Sequence, residues 1–316
     1  MLSILAAVSV INPVKKIKIK ILGTSAGGGL PQWNCNCNNC QLARNSKIPH
    51  RTQSSIAINN NNNWSLINAS PDIRNQINDH LVCKLCDAPI RDNRIKNIVL
   101  VDSQLDHTLG LLNIREGDPL DIYCTDVVKK QITDEFPIIR ILDSYCGTNI
   151  NSITIGTSFS PLENVDIFPV NIESNSPPYS EHRGSIVDGS NIGLIITNTL
   201  TGQKLFYAPG LGKITPEIEN IFSAVDYILI DGTCWTDDEL LSLKICGNTA
   251  SFMGHISQSS SENGESLIDI LRRYPKLKKA LIHINNTNPI LHSGPESEFL
   301  KKENISIAYD GMEIYI

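Results

Sequence analysis

The run Ile98-Val-Leu-Val-Asp-Ser-Gln-Leu-Asp-His107 constrains this chain more than any other stretch, because four apolar residues empty directly into oxygen and nitrogen donors. A buried strand ends where its backbone runs out of partners, so Asp102, Gln104, Asp106 and His107 leave one strand end together and project into a common pocket. A carboxylate beside a neutral imidazole suits iron, manganese or zinc, and two ligands from one loop lower the entropic cost of assembling a site. The competing reading is an Asp that caps the next helix with a His packed beside it. This segment alone leaves both open.

Strands and helices interleave around that run. Residues 17–22 alternate Lys and Ile, the pattern of a strand with one buried face, and a glycine-rich turn follows at 23–29. It lacks the Gly-Lys-Ser/Thr ending of a nucleotide loop, so its glycines are expected to let backbone pass close to a metal pocket or a neighbouring strand. Residues 54–58 and 64–67 form a hairpin whose tip is the asparagine tract 59–63. Further strands are expected at 95–101, 120–124, 166–170, 193–197, 204–208, 227–230, 279–283 and 305–308. Helices are expected at 72–78, 126–136, 215–223, 237–245 and 265–274. No linker or repeat divides this succession, which reads as one α/β domain over 16–316.

A length of 316 residues with 41% hydrophobic content supports a full core. The net charge of -6 argues against nucleic acid or an anionic membrane as partner. Nine scattered cysteines do not resemble a secreted disulfide framework, and a reducing cytoplasm fits them better. The apolar run 2–11 is too short to span a bilayer and lacks a basic segment before it, so residues 1–15 are taken as an extension outside the fold and no integral membrane segment is expected.

Two further donor clusters stand out. Cys35, Cys37 and Cys40 place three thiols within six residues, a spacing that suits a closed structural zinc site. Its fourth ligand is not local; His50, His292 or a residue near His283 are the candidates. The pair Cys83 and Cys86 has no matching second pair and reads as unrelated to metal. The other cluster, Leu281-Ile-His283-Ile-Asn-Asn-Thr-Asn-Pro289, again delivers a His from a strand into a polar loop. Asp106, His107 and His283 would together make a two-His, one-carboxylate set with open metal positions, whereas a purely structural His283 is the alternative. His182, His255 and Asp231 lie in polar turns and are candidates for proton handling or substrate contact.

Read together, the glycine loop, the D-x-Q-x-D-H strand end and the late strand-end histidines resemble the metallo-β-lactamase superfamily. Within it, Trp33-Asn-Cys-Asn-Cys37, Arg51-Thr-Gln-Ser-Ser55, Asn68-Ala-Ser-Pro-Asp-Ile-Arg74, Arg115-Glu-Gly117, Phe206 to Gly212 and the His283 to Pro289 segment resemble the coenzyme PQQ synthesis protein B family, from about Lys16 to Ile316. The resemblance implies a four-layer αββα sandwich with metal at one edge. It also implies a place in biosynthesis of pyrroloquinoline quinone (PQQ), a cofactor built from a Glu and a Tyr of a precursor peptide, alongside other proteins of that pathway. The family has been regarded as an iron-dependent hydroxylase of the tyrosine-derived ring and, alternatively, as a factor for transport of the product; a metal-dependent hydrolase is the superfamily's own precedent.

Hydrolases of the superfamily usually carry H-x-H-x-D-H and two metals. Here Asp102 and Gln104 occupy the two histidine positions, and the position of the bridging Asp falls at Pro209, which has no side-chain donor. What the resemblance leaves is Asp106, His107 and His283, suited to a single Fe(II) that takes O2 and a Glu-Tyr-derived precursor. Related phosphodiesterases close a similar three-cysteine zinc loop with a histidine at the position that is Asn286 here.

Overall fold

Two seven-stranded sheets pack face to face in a computed structural model that describes residues 16–81, 90–91, 94–259 and 265–316. The first sheet contains β1 (Lys18–Gly23), β2 (Ser55–Asn60), β3 (Asn63–Ile67), β4 (Ile95–Val99), β5 (Leu120–Cys124) and β6 (Thr148–Ser152). The second contains β7 (Phe159–Leu162), β8 (Val165–Asn171), β9 (Ile192–Asn198), β10 (Lys204–Ala208), β11 (Tyr227–Asp231), β12 (Lys278–Ile282) and β13 (Ile305–Ile307). The chain then returns to the first sheet as β14 (Glu313–Tyr315), giving the orders β14-β1-β2-β3-β4-β5-β6 and β13-β12-β11-β10-β9-β8-β7.

Strand alternation builds the layers. Ile19 and Ile21 of β1, Ile56 and Ile58 of β2, and Leu205 and Tyr207 of β10 all point between the sheets, where they form one buried core. The intervening Ala57 faces the helices over the first sheet, and Phe206 and Ala208 face those over the second. Each fully buried Ile or Leu contributes roughly 1.5–3 kcal/mol of transfer free energy, so this division into three cores holds the αββα order of layers.

The hairpin tip is tighter than the asparagine tract implied. Strands β2 and β3 pair up to Asn60 and Asn63, and only Asn61 and Asn62 turn, both with positive φ (54° and 64°) as a two-residue hairpin loop requires. Three expected helices are shorter than their patterns, the 265–274 segment being helical over Leu267–Arg272. The 126–136 segment is α-helical over Asp126–Lys130 and widens into a π turn over Gln131–Glu135. The 237–245 segment keeps one turn, Glu239–Ser242, because Lys244 takes a left-handed φ of 56° that ends it. Strands β6, β7 and β14 were not foreseen; β6 reads Thr-Asn-Ile-Asn-Ser, with no buried alternation to betray it.

The Arg51 to Ser55 segment fastens the glycine loop to the rest. Arg51 donates from Nη1 to Thr24 Oγ1 (2.9 Å) and to the Ala308 carbonyl. Burial pulls its pKa down, and Asp310 works against that shift. The Asp310 carboxylate accepts from Thr24 Oγ1, Thr52 N and Thr52 Oγ1 at 2.6–2.8 Å. Gln53 donates from N and Nε2 to Asp72 and accepts from Gly28 N. Residues 1–15 and the Cys83–Cys86 pair lie outside the described residues. Among the described residues no helix is long and apolar enough to cross a membrane.

At the first sheet's edge, Glu313 of β14 pairs with Lys18 (3.2 Å) and Lys20 (3.0 Å) of β1. A hydrogen bond from Tyr315, then the two lysines, hold its carboxyl down to about 2 against an ordinary 4.5. A depressed carboxyl pKa stabilises above the unfolded value and loses that contribution as pH falls from 4.5 through 2. Glu313→Gln is expected to lower stability by no more than about 1 kcal/mol at pH 7, because solvent screens the pair, with the difference vanishing near pH 2. Urea melts of both proteins across that range measure it.

Candidate metal centre

The carboxyl ends of β4, β11 and β12 meet the glycine loop after β1 at one end of the sandwich, where turns can present side chains without disturbing the sheets. After β4 the chain runs through Asp102 to the one-turn helix Leu105–Thr108, which carries Asp106 and His107. His283 follows β12 immediately, with a left-handed φ of 59°, and the next residue, Ile284, is stitched to the glycine loop by Ile284 N to Thr24 O and Ala26 N to Ile284 O. The glycine loop passes close to its neighbours as expected: a Cβ on Gly23 would collide with the Gln53 carbonyl oxygen, while Gly27 faces Asp106 Oδ2 at ordinary contact distance.

Asp106, His107 and His283 bring one ligand atom each to within 4.8 Å of one another. His107 is buried, and its Nδ1 lies against both Asp102 oxygens (2.8 and 2.9 Å), so Nε2 is the nitrogen the ring would offer to a metal that displaced its proton. That Nε2 is buried with no hydrogen-bond partner. His283 places Nδ1 3.0 Å from Thr233 Oγ1 and Nε2 3.2 Å from Asp106 Oδ2. Each ring is therefore held at one nitrogen and turned inward at the other, the arrangement that metal-binding histidines need. Burial alone would lower the His107 pKa, but Asp102 and then Asp106 override it and push it up to about 9. Burial alone would raise the Asp106 pKa, but His107 and then His283 outweigh it and hold the carboxyl far below its ordinary range. A cluster that gathers positive charge in this way is one a divalent cation would suit.

Asp102 faces His107 Nδ1 with both oxygens and also accepts from Gln104 N at 2.9 Å, so it positions His107. Gln104 lines the pocket and reaches only the Asn175 carbonyl, at 3.4 Å. Asp231 is wholly buried and does not line the pocket: its carboxylate takes Leu211 N, Thr233 N, Thr233 Oγ1 and His255 Nδ1. It acts through His255, whose ring stacks on His283 at 5.3 Å between centroids. Burial would lower the His255 pKa, and Asp231 raises it. His182 stands apart, half-buried beside Glu181 at 3.7 Å. The residue that turns into the pocket from that loop is its neighbour Arg183, which no pattern in an irregular loop singles out. The pocket itself has a volume of about 250 Å³ and is further bounded by Ser174, Asn191, Leu240, Met253 and Asn285.

The three loop cysteines also converge, their sulfurs within 4.8 Å of one another. Burial pushes the Cys37 thiol up to about 12; at Cys35 burial is outweighed, first by the Cys37 backbone amide, and the pKa falls. His50 turns to the Ala43 carbonyl and His292 to Asn39 Oδ1, so neither closes this cluster. The side-chain amide of Asn286 lies against the cluster instead, its Nδ2 donating to Cys40 Sγ at 3.2 Å and Cys37 Sγ at 3.5 Å.

Residues 63–284 match the beta-lactamase superfamily domain. Coenzyme PQQ synthesis protein B of Methylococcus capsulatus is 42% identical over 94% of this chain and 99% of its own length. The protein of that description from Acinetobacter baumannii is 45% identical over the same shares. Among solved structures, Zn2+-bound PqqB from Methylobacterium extorquens superposes with a TM-score of 0.84 at 29% identity, covering 94% of this chain and 99% of that one. A diphosphatase of the PhnP family shares the fold, with a TM-score of 0.66 at 16% identity over 96% and 98% of the two chains.

If Asp102 serves by orienting His107, Asp102→Ala should weaken Zn2+ binding at the two-His site by about 10–100-fold while leaving all three ligands in place. Competition against a chromophoric chelator reads this directly, and an unchanged affinity would remove the orienting role.

Proposed function

The chain belongs to the coenzyme PQQ synthesis protein B family, built on the beta-lactamase superfamily domain, and its work lies in PQQ biosynthesis; within that pathway we propose that it hydroxylates the tyrosine-derived ring of the linked Glu-Tyr precursor, using Fe(II) and O2. The observation that carries this proposal is the bare, buried Nε2 of His107 facing Asp106 and His283, beside a second-metal position at which Asp102 is turned to His107, Gln104 offers only a neutral amide and Pro209 has no donor. Hydrolysis by two metals needs both positions. A single metal on two histidines and one carboxylate is the donor set of iron oxygenases, and bound Fe(II) would supply activation of O2 with coordination positions left open.

The chain's own residues then have separable tasks. Asp106, His107 and His283 hold the metal. Asp102 and Thr233 fix the two imidazoles so that each offers Nε2. His255, with Nδ1 held by Asp231, keeps its other ring nitrogen free to hold a proton beside a phenolic oxygen. Leu240 and Met253 exclude water from the ring's side of the pocket. Each hydroxylation places one atom of O2 on the ring and reduces the other to water, with two electrons from an external reductant. We further propose a structural zinc on Cys35, Cys37 and Cys40, with Asn286 at its fourth face.

Iron-loaded protein, the linked Glu-Tyr precursor and ascorbate, exposed to 18O2, should yield a ring-hydroxylated product heavier by the label. Cleavage with oxygen drawn from water would replace the oxygenase by a hydrolase. Tight binding without any change in mass would leave a carrier. Separately, Cys37→Ser should remove one zinc per chain and lower Tm while leaving iron at the other site; unchanged zinc content would discard the cysteine site.

A further inference from the structure

The wall of the pocket formed by the connection between β8 and β9 carries a cation that the chemistry above does not use. Arg183 is the one lysine or arginine lining the pocket among the described residues; the other ionisable groups there are Asp102, Asp106 and three histidines. Its Nη1 donates to the Ser176 carbonyl at 2.7 Å, and among the described residues it forms no ion pair with a carboxylate. Both acidic neighbours are committed, Asp102 to His107 and Asp106 to His283. The rest of the guanidinium fork is therefore available to something entering from solvent.

The loop that bears it is firmly anchored. Ser176 and Ser190 hydroxyls bond to each other at 2.6 Å, Thr125 Oγ1 donates to the Gly189 carbonyl at 2.6 Å, and Asn191 Nδ2 donates to the Ser174 carbonyl at 3.2 Å. Tyr179 donates its hydroxyl to the Ser103 carbonyl at 2.6 Å, fastening this loop to the turn that carries Asp102 and Asp106. An arginine held this way is positioned before any ligand arrives, and a planar fork of donors matches a carboxylate with two parallel hydrogen bonds.

We propose that Arg183 binds a carboxylate of the substrate, so that the site selects molecules with an anionic group facing the loop between β8 and β9. Shape favours a carboxylate: the planar guanidinium matches it with two parallel hydrogen bonds, and no second lysine or arginine lines the pocket among the described residues to share a phosphate. The proposal deepens the assignment above, and only the identity of the whole substrate rests on it.

The test titrates Zn2+-loaded full-length protein with 3-(4-hydroxyphenyl)propanoate and with its neutral amide by calorimetry. Wild type should bind the acid at least about tenfold more tightly than the amide, as a charge-assisted pair provides. Arg183→Gln should erase that preference without changing amide affinity, and Arg183→Lys should keep part of it. An acid that binds no tighter than the amide, or a preference that survives in Arg183→Gln because the carboxylate sits on the metal, overturns the proposal. Should Arg183→Gln fold poorly, phenylglyoxal labelling of wild type decides: the acid should protect Arg183 and the amide should not, and equal labelling overturns it. A carboxylate preference in a protein that incorporates no 18O would keep the anion site and discard the oxygenase, while label incorporation without the preference would do the reverse.

Discussion

A buried imidazole nitrogen with no partner costs about 1–3 kcal/mol, and one end of this sandwich is organised around such an atom, Nε2 of His107. Its ring cannot turn away, because Asp102 grips the opposite nitrogen with both oxygens, and Asp102 is itself fixed by the Gln104 amide. The strand before it is paired on both sides within the first sheet, so the backbone has no freedom to relieve the strain either. A metal ion bound there would offset this cost, and the fold holds the nitrogen ready for one.

The second sheet contributes a matching half. Asp231 is buried at the end of β11 and spends its carboxylate on two backbone amides, one hydroxyl and one imidazole. Thr233, two residues on, passes that order to His283. Thus each sheet presents a metal-facing histidine backed by a residue from its own strand end, and the packing between sheets sets the distance between them. The loop bearing Arg183 closes the third side and is tied through Tyr179 to the first half.

Much of this was legible because regular structure leaves periodic marks. The Lys-Ile alternation of β1 and the apolar run of β4 located two strands and, at the end of β4, the donors that leave it together. The convergence of Asp106, His107 and His283 follows from strand ends sharing one edge, and that much the motifs conveyed. Side chains in irregular loops carry no such period. Nothing in Glu181-His-Arg183 says which of two neighbouring residues turns inward, and histidine drew attention through its chemistry while arginine took the position. Asp231 looked like an acid or base for the same reason; its burial beneath Leu211 and Thr233 depends on contacts between segments that no local pattern records. Asn286 was legible at the cysteine loop only through the resemblance to the phosphodiesterases, since no local pattern records that residues 37 and 286 touch.

The pairing of β14 with β1 joins residues separated by 295 positions. Contacts this distant in sequence form late, because a long loop must close before they reward it. Until then the outer edge of β1 offers unpaired amides and carbonyls to any passing strand, the circumstance in which nascent sheets aggregate. Lys18 and Lys20 stand on that edge, and charged side chains there resist docking by a foreign strand. The same two lysines later receive Glu313, so the charges that guard the open edge during folding become the charges that latch it shut.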